Sequence, residues 1–105
     1  MNVERAMKIG YQLLRRGHSP YIPQLTHYWH LFIQSQAINV PRDRWMELDL
    51  AWLRVSEAMF FLGPSPGANV ELNHARLLGL TIYLSLEEIP VKGLVAEFKE
   101  REDKC

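Results

Sequence analysis

A small α/β domain with a parallel sheet, layered helix on sheet on helix, is the fold class this sequence predicts, and three observations predict it. Segments with helical periodicity alternate with short apolar runs, as in Ala58–Leu62 and Thr81–Leu84. Gly17 and Gly79 close two of the helical segments, and a Gly/Pro cluster, Gly63-Pro64-Ser65-Pro66-Gly67, joins an apolar run to the next helix. The connections are short, and strands alternating with helices at such spacing imply crossover units and a parallel sheet.

The elements follow in order. Over Asn2–Arg16, Val3, Ala6, Met7, Leu13 and Leu14 recur at helical spacing, with Glu4, Arg5, Lys8, Gln12, Arg15 and Arg16 opposite, which predicts an amphipathic helix stopped at Gly17. His18–Ile22 carries Pro20 and is closed by Pro23, a pattern that predicts a strand. Gln24–Val40 mixes Thr26, His27, Tyr28, Trp29, His30 and Phe32 without clean periodicity and reads as a long loop with a helical turn or two. Pro41 opens a second helix to about Ser56, because its missing N–H would be unpaired there anyway. A buried strand at Ala58–Leu62 and a third helix at about Ala68–Leu78 come next. Thr81–Leu84 is a third strand, and Val91–Glu102 a final helix of alternating charge.

The chain has 105 residues, 48% of them hydrophobic, enough for one core and one domain over 1–105. Lys plus Arg and Asp plus Glu are 12 each, so no broad field exists to attract nucleic acid or an anionic membrane. Cys105 is the single cysteine, which excludes an internal disulfide and fits a reducing compartment. No apolar run is long enough to cross a bilayer and no signal peptide opens the chain, so the expected location is cytoplasmic.

Two carboxylates fall on unexpected faces. Advancing the second helix by about 100° per residue gathers Asp43, Glu47 and Arg54 on a polar face and leaves Asp49 among Trp45, Trp52, Leu53 and Ser56. The same construction on the third helix gathers Asn69, Asn73 and Arg76 and leaves Glu71 inward with His74, Ala75 and Leu78. Burying a carboxylate is costly unless it finds hydrogen bonds or a ligand. An inward Asp can equally serve a structural pair with an Arg, and an acid in a first helical turn can serve stability alone. On this placement Glu71 lies in the first turn, where the helix dipole holds it ionised. Both helices border the second strand, and ligands of open parallel sheets bind beyond the strands' carboxyl ends.

The loop amides around Gly67 and the Ser65 hydroxyl suit an anion such as a phosphate, and they suit a plain strand-to-helix turn as well. Candidate substrate contacts are Ser65, Gly67 and Asn69 at the loop and helix start, His74 beside Glu71, and His27 and Trp29 in the aromatic stretch. The His27/His30 pair lacks an acidic or cysteine partner at metal-binding spacing, so neither a metal nor a cofactor is expected.

The runs Asp49-Leu50-Ala51-Trp52-Leu53, Ala58-Met59-Phe60-Phe61-Leu62, Gly67-Ala68-Asn69-Val70-Glu71-Leu72 and Ala75 through Gly79 resemble the nucleoside 2-deoxyribosyltransferase-like superfamily, which includes the 2′-deoxynucleoside 5′-phosphate N-glycosidases. The resemblance covers about Val3 to Glu88, with the opening helix and the Gly17–Pro23 run similar to small bacterial and phage members. It implies a flavodoxin- or Rossmann-like sheet. It also implies that Glu71 is a nucleophile attacking the anomeric carbon, that Asp49 belongs to the catalytic set, and that Ser65 holds a 5′-phosphate. Two departures stand out: the family's first strand, with its catalytic aromatic residue, has no counterpart here, and Glu57 stands where an aspartate is usual.

The functional expectation is cleavage or transfer of an N-glycosidic bond of a nucleoside or nucleotide through a carboxylate nucleophile. The alternative is a non-catalytic nucleotide-binding or assembly domain that keeps the pocket. Open sheet edges and the Tyr28, Trp29 and Phe32 surface lead us to expect a homodimer or higher homo-oligomer.

Overall fold

The computed structural model describes residues 3–93 and Phe98. In order, the elements are α1 (Val3–Arg15), a 3-10 turn (Pro23–Leu25), α2 (Thr26–Ser35), α3 (Arg42–Arg54), β1 (Ala58–Phe60), α4 (Pro66–Leu77), β2 (Thr81–Tyr83) and a second 3-10 turn (Leu86–Glu88). The described residues form a small α/β domain around a two-stranded parallel sheet. Ala58 pairs with Thr81, Met59 with Ile82 and Phe60 with Tyr83, and the Phe61 amide extends the ladder to the Tyr83 carbonyl at 2.9 Å.

Three of the helices end in the same local device. At Gly17, the His18 amide reaches back to the Leu13 carbonyl and the Gly17 amide to Leu14, both at 3.0 Å, with Gly17 at φ +88°. Gly79 repeats the arrangement at φ +74°, with Leu80 bonded to Ala75 and Gly79 to Arg76. After α2 the left-handed position falls on Ala37, at φ 60°, a conformation in which a Cβ is penalised.

α3 packs against α4, and α4 lies over both strands. The core between them is thin. Ala6, Ala75 and Ile89 are the buried apolar side chains of the described set, and no large side chain is fully buried. Phe32, Val55 and Leu77 are 63%, 73% and 85% exposed. The radius of gyration is 15.6 Å, against about 13 Å for a compact domain of this length.

Five sequence expectations are corrected. His18–Ile22 is not a strand: Ile22 is extended, at φ −113° and ψ 95°, but the segment pairs with neither strand. Extended conformation becomes a strand only when a neighbouring backbone takes up its N–H and C=O groups. The sheet therefore has two strands, not three. Much of Gln24–Val40 is helical, the ten residues of α2 running from Thr26 to Ser35. Finally, α4 begins at Pro66 and not at Ala68, because Ser65 caps it, its hydroxyl accepting from the Ala68 amide at 3.1 Å, and Pro66 suits the first helical position. Of the expected last helix, Val91–Gly93 is not helical, and the remainder apart from Phe98 lies outside the described residues. No described helix is long and apolar enough to cross a membrane.

Candidate active site

Trp45, Asp49 and Trp52 sit four and three residues apart on α3, so they rise as one stripe along a single side of the helix. Across from this stripe runs the extended His18–Ile22 segment, which brings in Tyr21. The Tyr21 ring stacks on Trp52, with centroids 5.3 Å apart and planes 14° from parallel. That stack aims the phenol along α3, and the Tyr21 hydroxyl donates to Asp49 Oδ1 at 3.0 Å. Glu71 enters from α4, which packs on α3. Tyr21, Asp49, Trp52 and Glu71 all line one open cleft of about 1580 Å³, which also runs past β1 and the Gly63–Gly67 loop.

The two carboxyls feel each other. Burial pushes Glu71 up from its usual 4.5 to about 7, and the negative charge of Asp49 adds to the rise. Asp49 is also raised by burial, but the hydrogen bond from Tyr21 stabilises its ionised form and opposes that rise. The phenol of Tyr21 is itself raised, first by burial and then by the adjacent Asp49. Burial therefore works against the charged form of Glu71, while at Asp49 the Tyr21 donor works for the charged form. This reverses the expectation that the helix start holds Glu71 ionised. With α4 opening at Pro66, Glu71 is in the second turn, and the dipole's influence falls off within the first.

The far end of the α3 stripe is ordered by a second polar contact. Trp45 Nε1 donates to His30 Nδ1 at 3.0 Å. An indole N–H can only donate, so Nδ1 is the acceptor and a neutral His30 carries its proton on Nε2. Trp29 packs edge-on against Trp45, with centroids 5.1 Å apart.

Of the sequence candidates, Asp49, Glu71, Ser65, Gly67 and His27 line the cleft. Ser65 Oγ is occupied as an acceptor by its capping role, which leaves the hydroxyl hydrogen as a donor. A Cβ at Gly67 would meet Met46 at an ordinary 3.5 Å, with an Arg42 guanidinium nitrogen at 4.0 Å. Asn69, His74 and Trp29 are not brought to the cleft: Asn69 is exposed on the far side of α4, His74 donates to the Val70 carbonyl of its own helix at 3.1 Å, and Trp29 is 55% exposed beside Trp45. Sequence reasoning missed Tyr21, His30 and Arg42 as cleft residues. The signal available for Tyr21 was its place between Pro20 and Pro23, which fix an extended backbone and present the side chain broadside.

The cleft thus holds two carboxyls with raised pKa values beside a stacked aromatic wall. No family model matches the chain, and no curated protein or solved structure is found to be similar to it.

Proposed function

We propose that the chain is a nucleoside or nucleotide N-glycosidase or deoxyribosyltransferase-like protein in which Asp49 and Glu71 work as a pair on the bond between sugar and base. The observation that carries this reading is that α3 and α4, packed together, place Asp49 and Glu71 on one cleft with Tyr21 hydrogen-bonded to Asp49. In such a reaction one carboxylate attacks the anomeric carbon, the carbon–nitrogen bond breaks, and the other carboxyl gives its proton to the departing base. Water or a second base then displaces the enzyme carboxylate. The Tyr21–Trp52 stack supplies a flat aromatic surface beside the pair, suited to a heterocycle.

The resemblance to the nucleoside 2-deoxyribosyltransferase-like superfamily supports the same reading and extends it to a flavodoxin- or Rossmann-like sheet. In that arrangement the family's first strand would lie beside β1. The open edge of β1 and the unpaired His18–Ile22 segment both border the cleft, which is compatible with such a place. The thin core and the open sheet edge favour the second reading, a nucleotide-binding or assembly domain without chemistry.

Incubation with a panel of nucleosides and 5′-nucleotides, following free base, separates the two. Base release that is lost in Glu71→Gln supports the enzyme. Nucleotide binding without base release supports the binding domain, and neither binding nor release sinks both.

A further inference from the structure

We infer that Tyr21 is the positioning residue of the pair: its hydroxyl, donating to Asp49 Oδ1, favours the ionised form at Asp49 over that at Glu71. The inference rests on the carboxylate-pair reading and adds to it a third residue and a division of roles.

The geometry is specific. Among the described residues Tyr21 is the only side chain hydrogen-bonded to either carboxyl, and neither carboxyl forms an ion pair. Its hydroxyl donates to Asp49 Oδ1, and a phenol kept protonated by burial and by two nearby acids is a donor with no competing ionised form. Donation to a carboxylate favours the charged state. Glu71 receives no comparable donor. Arg5 on α1 borders the cleft and donates to the Leu62 carbonyl, and His27 and His30 on α2, Arg42 on α3 and Lys92 beyond β2 border it as well. Burial raises both acids, and the Tyr21 hydroxyl opposes that rise at Asp49 alone of the two.

The Tyr21 ring is held independently of that hydroxyl by the stack on Trp52. Removing the oxygen leaves the ring and its packing in place. Ground-state positioning of this kind sets which acid attacks and which donates: an ionised Asp49 is the nucleophile, and a protonated Glu71 delivers its proton to the leaving base. That division differs from the one the family resemblance implies.

The test is carboxyl-carbon NMR titration of the wild type and of Tyr21→Phe, with assignments from Asp49→Asn and Glu71→Gln. In the wild type Glu71 is expected to titrate well above Asp49. In Tyr21→Phe the Asp49 titration should rise by about one pH unit, the scale of a lost hydrogen bond to a charged group, and the Glu71 titration should fall as Asp49 loses charge. In the Asp49→Asn background, Tyr21→Phe should leave Glu71 unmoved. Titrations unchanged by Tyr21→Phe, or an equal shift of Glu71 with and without Asp49, would overturn the inference. If Tyr21→Phe unfolds, the Glu71 titration in Asp49→Asn decides, because an unchanged value there removes the coupling on which the role depends. No substrate enters these measurements, so a wild type that releases no base overturns the N-glycosidic reading and leaves this result standing.

Discussion

Replacing Glu71 by Gln should stabilise the protein, by an amount that grows from about pH 4.5 to about pH 7 and then levels off. The folded chain holds this carboxyl at about 7 against 4.5 when free, so the folded state binds more protons between those values than the unfolded state does. Stability is then complete below about pH 4.5 and is lost as pH rises through about 7, opposite in sign to a salt-bridged acid. Two and a half pH units at about 1.4 kcal/mol each set a ceiling of about 3.5 kcal/mol. The side chain is only part-buried and solvent screens it, which reduces the expected effect to about 1–2 kcal/mol. Urea unfolding of wild type and Glu71→Gln at pH 5, 6, 7, 8 and 9 reads it directly. The two proteins should agree to within a few tenths of a kcal/mol near pH 5, with Gln ahead by about 1–2 kcal/mol at pH 9. Parallel curves across the range would refute the claim that Glu71 is buried against its own charge.

Three further outcomes follow from other parts of the molecule. If the proposed chemistry holds, Asp49→Asn and Glu71→Gln should each lower base release by about 10²–10⁴-fold, and a 2-fluoro-2-deoxy sugar analogue should leave a covalent adduct whose mass-mapped address is Asp49; an adduct on Glu71 would restore the family's division of roles. Ala37→Gly should raise stability by about 1 kcal/mol by relieving the positive φ at the end of α2, and thermal unfolding that is unchanged or earlier would count against that strain. The exposed Tyr28, Trp29 and Phe32 surface should support self-association: light scattering at high micromolar concentration should give a dimer or larger mass, and Phe32→Glu should shift it toward monomer.

What was legible in the sequence was whatever a local pattern decides. α1 and α3 declare themselves by phase; α1 is closed at Gly17 as expected, while α3 runs from Arg42 to Arg54, with Pro41 as the residue before its first turn and its end two residues short of Ser56. β1 and β2 show as apolar runs, and their three paired residues each fall inside the expected spans. α2 was obscured because Tyr28, Trp29, Leu31 and Phe32 spread large apolar groups around the helix, and all four remain exposed, so no polar face sets a phase. The His18–Ile22 error has a different origin. Prolines and β-compatible residues dictate extension there, but whether extension becomes a strand depends on a partner backbone far along the chain, about which a local pattern is silent.

The site divides along the same line. Helical phase alone turned Asp49 and Glu71 inward, because each is one residue on a rigid helix whose period is known. The state of charge of those carboxyls could not be read in that way, since it depends on contacts across the fold. Tyr21 meets Asp49 over a separation of 28 residues, and among the described residues no side chain donates to Glu71 in the same way. The Ser65-Pro66 dipeptide, a cap followed by a residue suited to the first helical position, already marked where α4 begins. Reading it as the helix start moves Glu71 out of the dipole's reach, and with the dipole gone, burial beside Asp49 is what remains to raise it. An acid raised in this way, next to one whose charged form a phenol supports, is the asymmetry that the proposed proton donor and nucleophile require.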